Sequence, residues 1–178
     1  MSIATLSHAI QSSGFFTTVR QSEVFYPTVL ATHLCCIAVF GGLILMTNLR
    51  LLGLALKKTP ASVVIESTRT AKRIGFVIMI ACGILLAGSH LDKYYPNPYF
   101  QIKLSLLVLT GLHGLIFRRG VYYNVNLDKD GKLPVQAVLA GGTSLLLWLA
   151  ILTAGRWIAY YDDPNAIAGL FRLLRHLV

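Results

Sequence analysis

Four long apolar runs, each bounded by charge, proline or glycine, constrain this chain more than any other feature. They extend from Thr28 to about Met46, Ile74 to Ser89, Tyr99 to Phe117 and Val135 to Thr153. A bilayer core about 30 Å thick takes roughly 20 helical residues, and tilt or flanking residues complete the shorter runs. Backbone crossing lipid must satisfy its own hydrogen bonds, so four such runs imply an all-α, integral-membrane four-helix bundle. The balance of residues agrees: 55% are apolar, only 13% are charged, and mean hydropathy is +0.65.

The basic residues give the expected orientation. Arg50, Lys57, Lys58, Arg69, Lys72 and Arg73 lie between the first two runs, and Arg118, Arg119, Lys129 and Lys132 between the last two. The positive-inside rule makes both connections cytoplasmic and both termini external. It also accounts for most of the +9 formal charge. No recognition motif accompanies that charge, so no nucleic-acid partner is expected. The first ten residues lack a basic stretch and a continuous apolar core, so no cleaved signal peptide is expected.

Three regions follow. Residues 1–24 carry Ile3, Leu6, Ile10, Phe15, Phe16 and Val19 at helical spacing and suit an amphipathic segment in the outer interface. Residues 25–155 hold the bundle. Residues 156–178 form a second interfacial helix, opened by Asp163-Pro164, with Ile167, Leu170, Phe171 and Leu174 opposed by Arg172 and Arg175. Docking onto a partner protein uses the same pattern. Pro27, Asn97-Pro98 and Pro134 open spans one, three and four. Thr59-Pro60 opens a polar helical segment leading into span two, and Asp130-Gly131 marks a turn.

Ionisable side chains inside spans are costly, which makes His33, Lys103 and His113 the candidate site residues. At 1.5 Å per residue, His33 and Lys103 fall at nearly the same outer depth, and His113 roughly 12 Å deeper than His33. Neutral imidazole is a common axial ligand of haem iron. Gly41 and Gly42, two turns from His33, would let a flat ring approach span one, and Lys103 could pair with a propionate. The competing reading is structural: an intramembrane histidine often bonds a neighbouring helix, a lysine near a span end snorkels, and glycines pack helices. Cys35, Cys36 and Cys82 show no metal-binding spacing. A soft-metal set of Cys36 with Met46 or Met79 is the weaker option. All seven acids lie in connections or ends, which argues against a coupled ion transporter.

Several segments resemble an uncharacterised family of small bacterial membrane proteins: Val19-Arg20-Gln21-Ser22, Phe25-Tyr26-Pro27, Thr32-His33-Leu34, Phe40-Gly41-Gly42, Asn48-Leu49-Arg50-Leu51-Leu52-Gly53 and Asn97-Pro98-Tyr99-Phe100-Gln101-Ile102-Lys103-Leu104. More distantly, a histidine in span one and Lys-Leu opening span three resemble CopD-type copper-resistance proteins and HemJ-type protoporphyrinogen oxidases, the latter four-helix haem b proteins. His33 matches the family's first-helix histidine and Lys103 its third-helix lysine. Asn48-Leu49-Arg50 departs from the oxidase signature, so the likeness implies haem binding more than catalysis.

Three functions are consistent with these residues. The first is a b-type haem protein, or a binder of another tetrapyrrole, in the bacterial cytoplasmic membrane, with His33, Lys103, His113, Gly41 and Gly42 at the cofactor and His33 and His113 as metal ligands. The second is a homo-oligomer or an accessory subunit of a larger membrane complex. The third is CopD-like metal handling.

Overall fold

The computed structural model describes residues 3–124, 126–128 and 133–161, with side chains from Thr5 onward. The described residues are helical, with no strand. Two short helices, α1 (Ile3–Gln11) and α2 (Gly14–Gln21), precede α3 (Phe25–Leu51) and α4 (Ala61–Ser89). A single turn, α5 (Leu91–Tyr94), leads to α6 (Pro98–Ile116), a π-helical turn (Arg118–Tyr122) and α7 (Val135–Tyr160). Helices α3, α4, α6 and α7 are each long and apolar enough to cross a membrane. Their exposed leucines, isoleucines and valines, among them Leu34, Val39, Val77, Val108 and Leu146, form the surface expected to meet lipid.

Helix α3 packs against α4 on one side and α7 on the other, and α7 carries α6. Small residues set these approaches. A Cβ on Gly41 would stand 2.8 Å from the indole Nε1 of Trp148, and one on Gly141 would stand 2.9 Å from the Leu51 Cβ. Trp148 fills the middle of the bundle, edge-on to Phe40 and beside Met79 and Ile151. Leu51, Ala61, Ile65, Val121 and Ala140 close the Arg-rich end. Asn97 caps α6 by accepting from the Tyr99 and Phe100 amides ahead of Pro98, and its side-chain amide donates to the Ile158 carbonyl of α7.

The polar stretch after Pro60 is helical and continues into span two as the first part of α4. Helix α7 runs on through residues 156–160. The interfacial helix expected further on, with Asp163-Pro164, and the Asp130-Gly131 turn lie outside the described residues.

The N-terminal pair docks onto this chain's own corner at the end of the bundle away from the Arg-rich connections. Ser7 donates to Asp92, the Asp92 amide donates to Gln11, and Arg20 reaches the Ser89 carbonyl. The Phe16 ring lies against Gly88, and Val19 is buried. Leu6 and Phe15 stay exposed, so the pair keeps an apolar face outward while bonding inward.

Candidate functional site

His33 is half-buried on the α4 side of α3. Its Nδ1 lies 3.0 Å from the Met79 carbonyl oxygen. A carbonyl only accepts, so Nδ1 carries the proton and the neutral ring keeps its lone pair on Nε2. Nε2 makes no hydrogen bond to a described residue. A backbone carbonyl fixing one ring nitrogen while the other stays free is how a ligating histidine is usually oriented. Gly83 makes room for the ring: a Cβ there would lie 3.4 Å from the His33 Cε1.

Lys103 reaches the same level from α6. Its stem and Nζ lie against Gly155 of α7, with Nζ 3.4 Å from where a Cβ would stand. Among the described residues it has no carboxylate partner and no hydrogen bond. An ammonium within a span, lacking a counter-ion, is a place where an anion is favoured.

His113 occupies a different place. Its Nε2 lies 2.8 Å from the Thr143 hydroxyl, whose own hydrogen goes to the Leu139 carbonyl at 2.7 Å. The hydroxyl therefore accepts, and His113 spends Nε2–H on a helix–helix bond. A groove of about 560 Å³ lined by Leu109, Leu112, Ile116 and Leu146 runs beside it.

The register of the helices separates the two histidines. Gly41 meets Trp148 and Asn48 meets Gly141, so α3 and α7 run antiparallel in step. Extended away from the Arg-rich end, that register sets His33 level with the Gly155 region, where Lys103 lies. Thr143, the partner of His113, is twelve residues below Gly155 on α7, roughly 18 Å along the helix. The register thus sets His33 and Lys103 at one level, on different neighbours, and His113 well away along the bundle axis. The space at Gly41 is filled by Trp148, whereas Gly42 is exposed with nothing within 4 Å of a Cβ. No group of three His, Cys, Asp or Glu among the described residues could hold a metal ion.

A second polar cluster, at the Arg-rich end, escaped the sequence reading. Arg50 pairs with Asp128 at 3.0 Å, with side chains only 9% and 11% exposed, and donates to the Thr59 carbonyl. Asp128 also accepts from the Ala61 amide and so caps α4. Asn48, buried, donates to Ser144. Burial pushes the Tyr122 phenol above its ordinary value. Lys72 donates to Thr47. Asn48 in the last turns of a span was the available signal.

A family model described as a family of unknown function (DUF6644) matches residues 12–161. The chain belongs to that family. The match runs from the end of α1 through α7, so it takes in both polar clusters. No curated protein and no solved structure matches the chain.

Proposed function

We propose that this protein binds a b-type haem, or a closely related tetrapyrrole, in the bacterial cytoplasmic membrane, and that His33 is its axial ligand. The observation that carries the reading is the state of the His33 ring: Nδ1 donates to the Met79 carbonyl, and the Nε2 lone pair has no partner among the described residues. Lys103 at the same level suits a propionate, the anionic edge of such a ring. The donor set therefore fits one histidine ligand plus one counter-charge, in keeping with the resemblance of His33 and Lys103 to the haem-binding four-helix families.

When bound, the iron supplies one-electron chemistry. The protein's own part is to hold the imidazole tautomer through Met79, to keep the ring against Gly83 and to neutralise carboxylate through Lys103. His113 acts as a helix–helix strut. Electron transfer follows better than catalysis, since no acid–base pair accompanies His33 among the described residues. The positive-inside rule directs the end bearing Arg50, Lys57, Arg69 and Arg118 to the cytoplasm and His33 to the outer leaflet.

The test is a reduced-minus-oxidised spectrum of detergent-purified protein from cells supplied with haem precursors. A b-type α band is expected in the wild type and in His113→Ala, and is expected to vanish in His33→Ala. A colourless wild type would sink the reading.

One observation favours a second role, as an accessory subunit or homo-oligomer. Helix α6 buries little of its surface, and Gly111 and Gly114 have nothing within 4 Å of a Cβ. Small residues on an open helix face let another helix approach closely. Stable co-purification with a partner, or a mass above one chain in detergent, would support it. CopD-like metal handling finds no comparable support among the described residues.

A further inference from the structure

At the Arg-rich end, three guanidinium groups converge on one phenol. Arg69 stacks 4.5 Å from the Tyr123 ring centroid, Arg118 stacks at 5.2 Å, and Arg73 donates to the Tyr123 hydroxyl. Arg69 and Arg73 come from α4, Arg118 and Tyr123 from the turn that follows α6. The described carboxylate in this group is Glu66, which pairs with Arg69 at 2.7 Å and is itself 62% exposed. Arg69 also donates to the Tyr122 carbonyl. Three cations against one solvated carboxylate leave a net surplus of positive charge. The hydrogen bond from Arg73, then the charges of Arg73, Arg118 and Arg69, hold the exposed Tyr123 phenol below its ordinary value.

The position of this cluster selects the kind of anion. Arg73 is followed at once by Ile74, Phe76 and Val77 of α4, all exposed, and Arg118 is preceded by exposed Leu115 and Ile116 of α6. Helices α4 and α6 are not packed against one another; each is held by another span. The guanidinium groups thus stand where two lipid-facing apolar surfaces end. Guanidinium matches phosphate by paired N–H donors, and basic groups between spans are a recurring headgroup site.

We propose that Arg69, Arg73 and Arg118, gathered around Tyr123, bind the phosphate headgroup of an anionic phospholipid whose acyl chains lie along α4 and α6. The site is independent of any tetrapyrrole at His33.

The experiment measures thermal unfolding of the purified full chain in neutral detergent, titrated separately with phosphatidylglycerol, phosphatidylcholine and soluble glycerol 3-phosphate. Phosphatidylglycerol is expected to raise the midpoint saturably, and the other two are not. In Arg73→Gln/Arg118→Gln the apparent affinity falls roughly thirtyfold, about fivefold per basic group. Lys57→Gln/Lys58→Gln removes equal charge outside the cluster and retains the affinity. Arg118→Glu alone, at an exposed position, must also weaken binding, which guards against a misfolded double variant. Equal stabilisation by phosphatidylcholine, or equal losses in the two double variants, overturns the proposal. A response to glycerol 3-phosphate matching that to the lipid overturns the lipid assignment in favour of a soluble phosphate.

Discussion

The two ends of the bundle treat polar groups in opposite ways. At the Arg-rich end, the charge pair Arg50–Asp128 is buried and each member has further partners, Thr59 for one and the Ala61 amide for the other. Asn48 donates to Ser144 across α3 and α7, and Lys72 donates to Thr47. At the opposite end, among the described residues, His33 has one ring nitrogen bonded and the other without a partner, and Lys103 has no counter-ion. A satisfied network specifies structure. Groups left with bonding capacity inside a membrane span are costly unless something else completes them. That contrast, rather than the mere presence of histidine, singles out the outer pair as the candidate site.

The largest effect that would break this comparison comes from removing one charge at each end. Arg50→Ala leaves Asp128 buried without its partner and is expected to destabilise by about 3–5 kcal/mol. Lys103→Met removes a cation without a described carboxylate, and is expected to leave the ligand-free protein as stable as before or more so. Unfolding in detergent by heat, followed by far-ultraviolet circular dichroism, reads both. Equal losses at the two positions would mean that the outer lysine is structural too.

A smaller effect should separate the glycines. A Cβ on Gly141 meets the Leu51 Cβ at 2.9 Å and the Asn48 carbonyl oxygen at 3.2 Å, neither of which can swing aside. Gly141→Ala is expected to cost about 1–3 kcal/mol through overpacking. Gly155→Ala meets only the flexible end of Lys103, so its stability should change little while the lysine shifts. If a pigment is bound, that second variant should perturb its spectrum. A Gly155→Ala protein as unstable as Gly141→Ala would show that α6 and α7 are packed as tightly outside as α3 and α7 are inside.

Much of this architecture is written in the chain at low resolution. Long apolar runs must become helices in lipid, and helical rise alone sets His33 level with Lys103 and apart from His113. What could not be read is which face each residue presents. Gly41 sits at a spacing suited to a flat ring, yet antiparallel packing delivers Trp148 to that spot. Arg50 at a span end looks like a topology signal, and Asp128 lies in a polar loop 78 residues away. Only the tertiary approach of that loop makes them a buried pair. The N-terminal amphipathic pattern likewise fixes helices and an apolar face, but not the docking of Ser7 and Gln11 on Asp92.

That docking supplies the most delicate probe of the outer end. His90 closes α4 and opens α5, its ring edge-on to Tyr26 at 5.3 Å and to Tyr94 at 6.2 Å. Burial first, then the charges of Arg20 and Lys93, hold it below its ordinary value of 6.5. Between the folded and ordinary values the unfolded chain binds more protons than the folded one. This contribution to stability is therefore complete above 6.5 and is lost as pH falls through the folded value. Acidification should loosen the corner where α1 and α2 dock, leaving the Arg50–Asp128 end intact. Hydrogen-exchange protection, taken relative to the intrinsic rate at each pH, should fall in α1 and α2 first on going from neutral to mildly acidic pH. In His90→Gln that pH response should flatten, since the replacement does not titrate. Simultaneous loosening of both ends would make the molecule one cooperative unit and remove the distinction between the satisfied Arg-rich end and the end that carries His33 and Lys103.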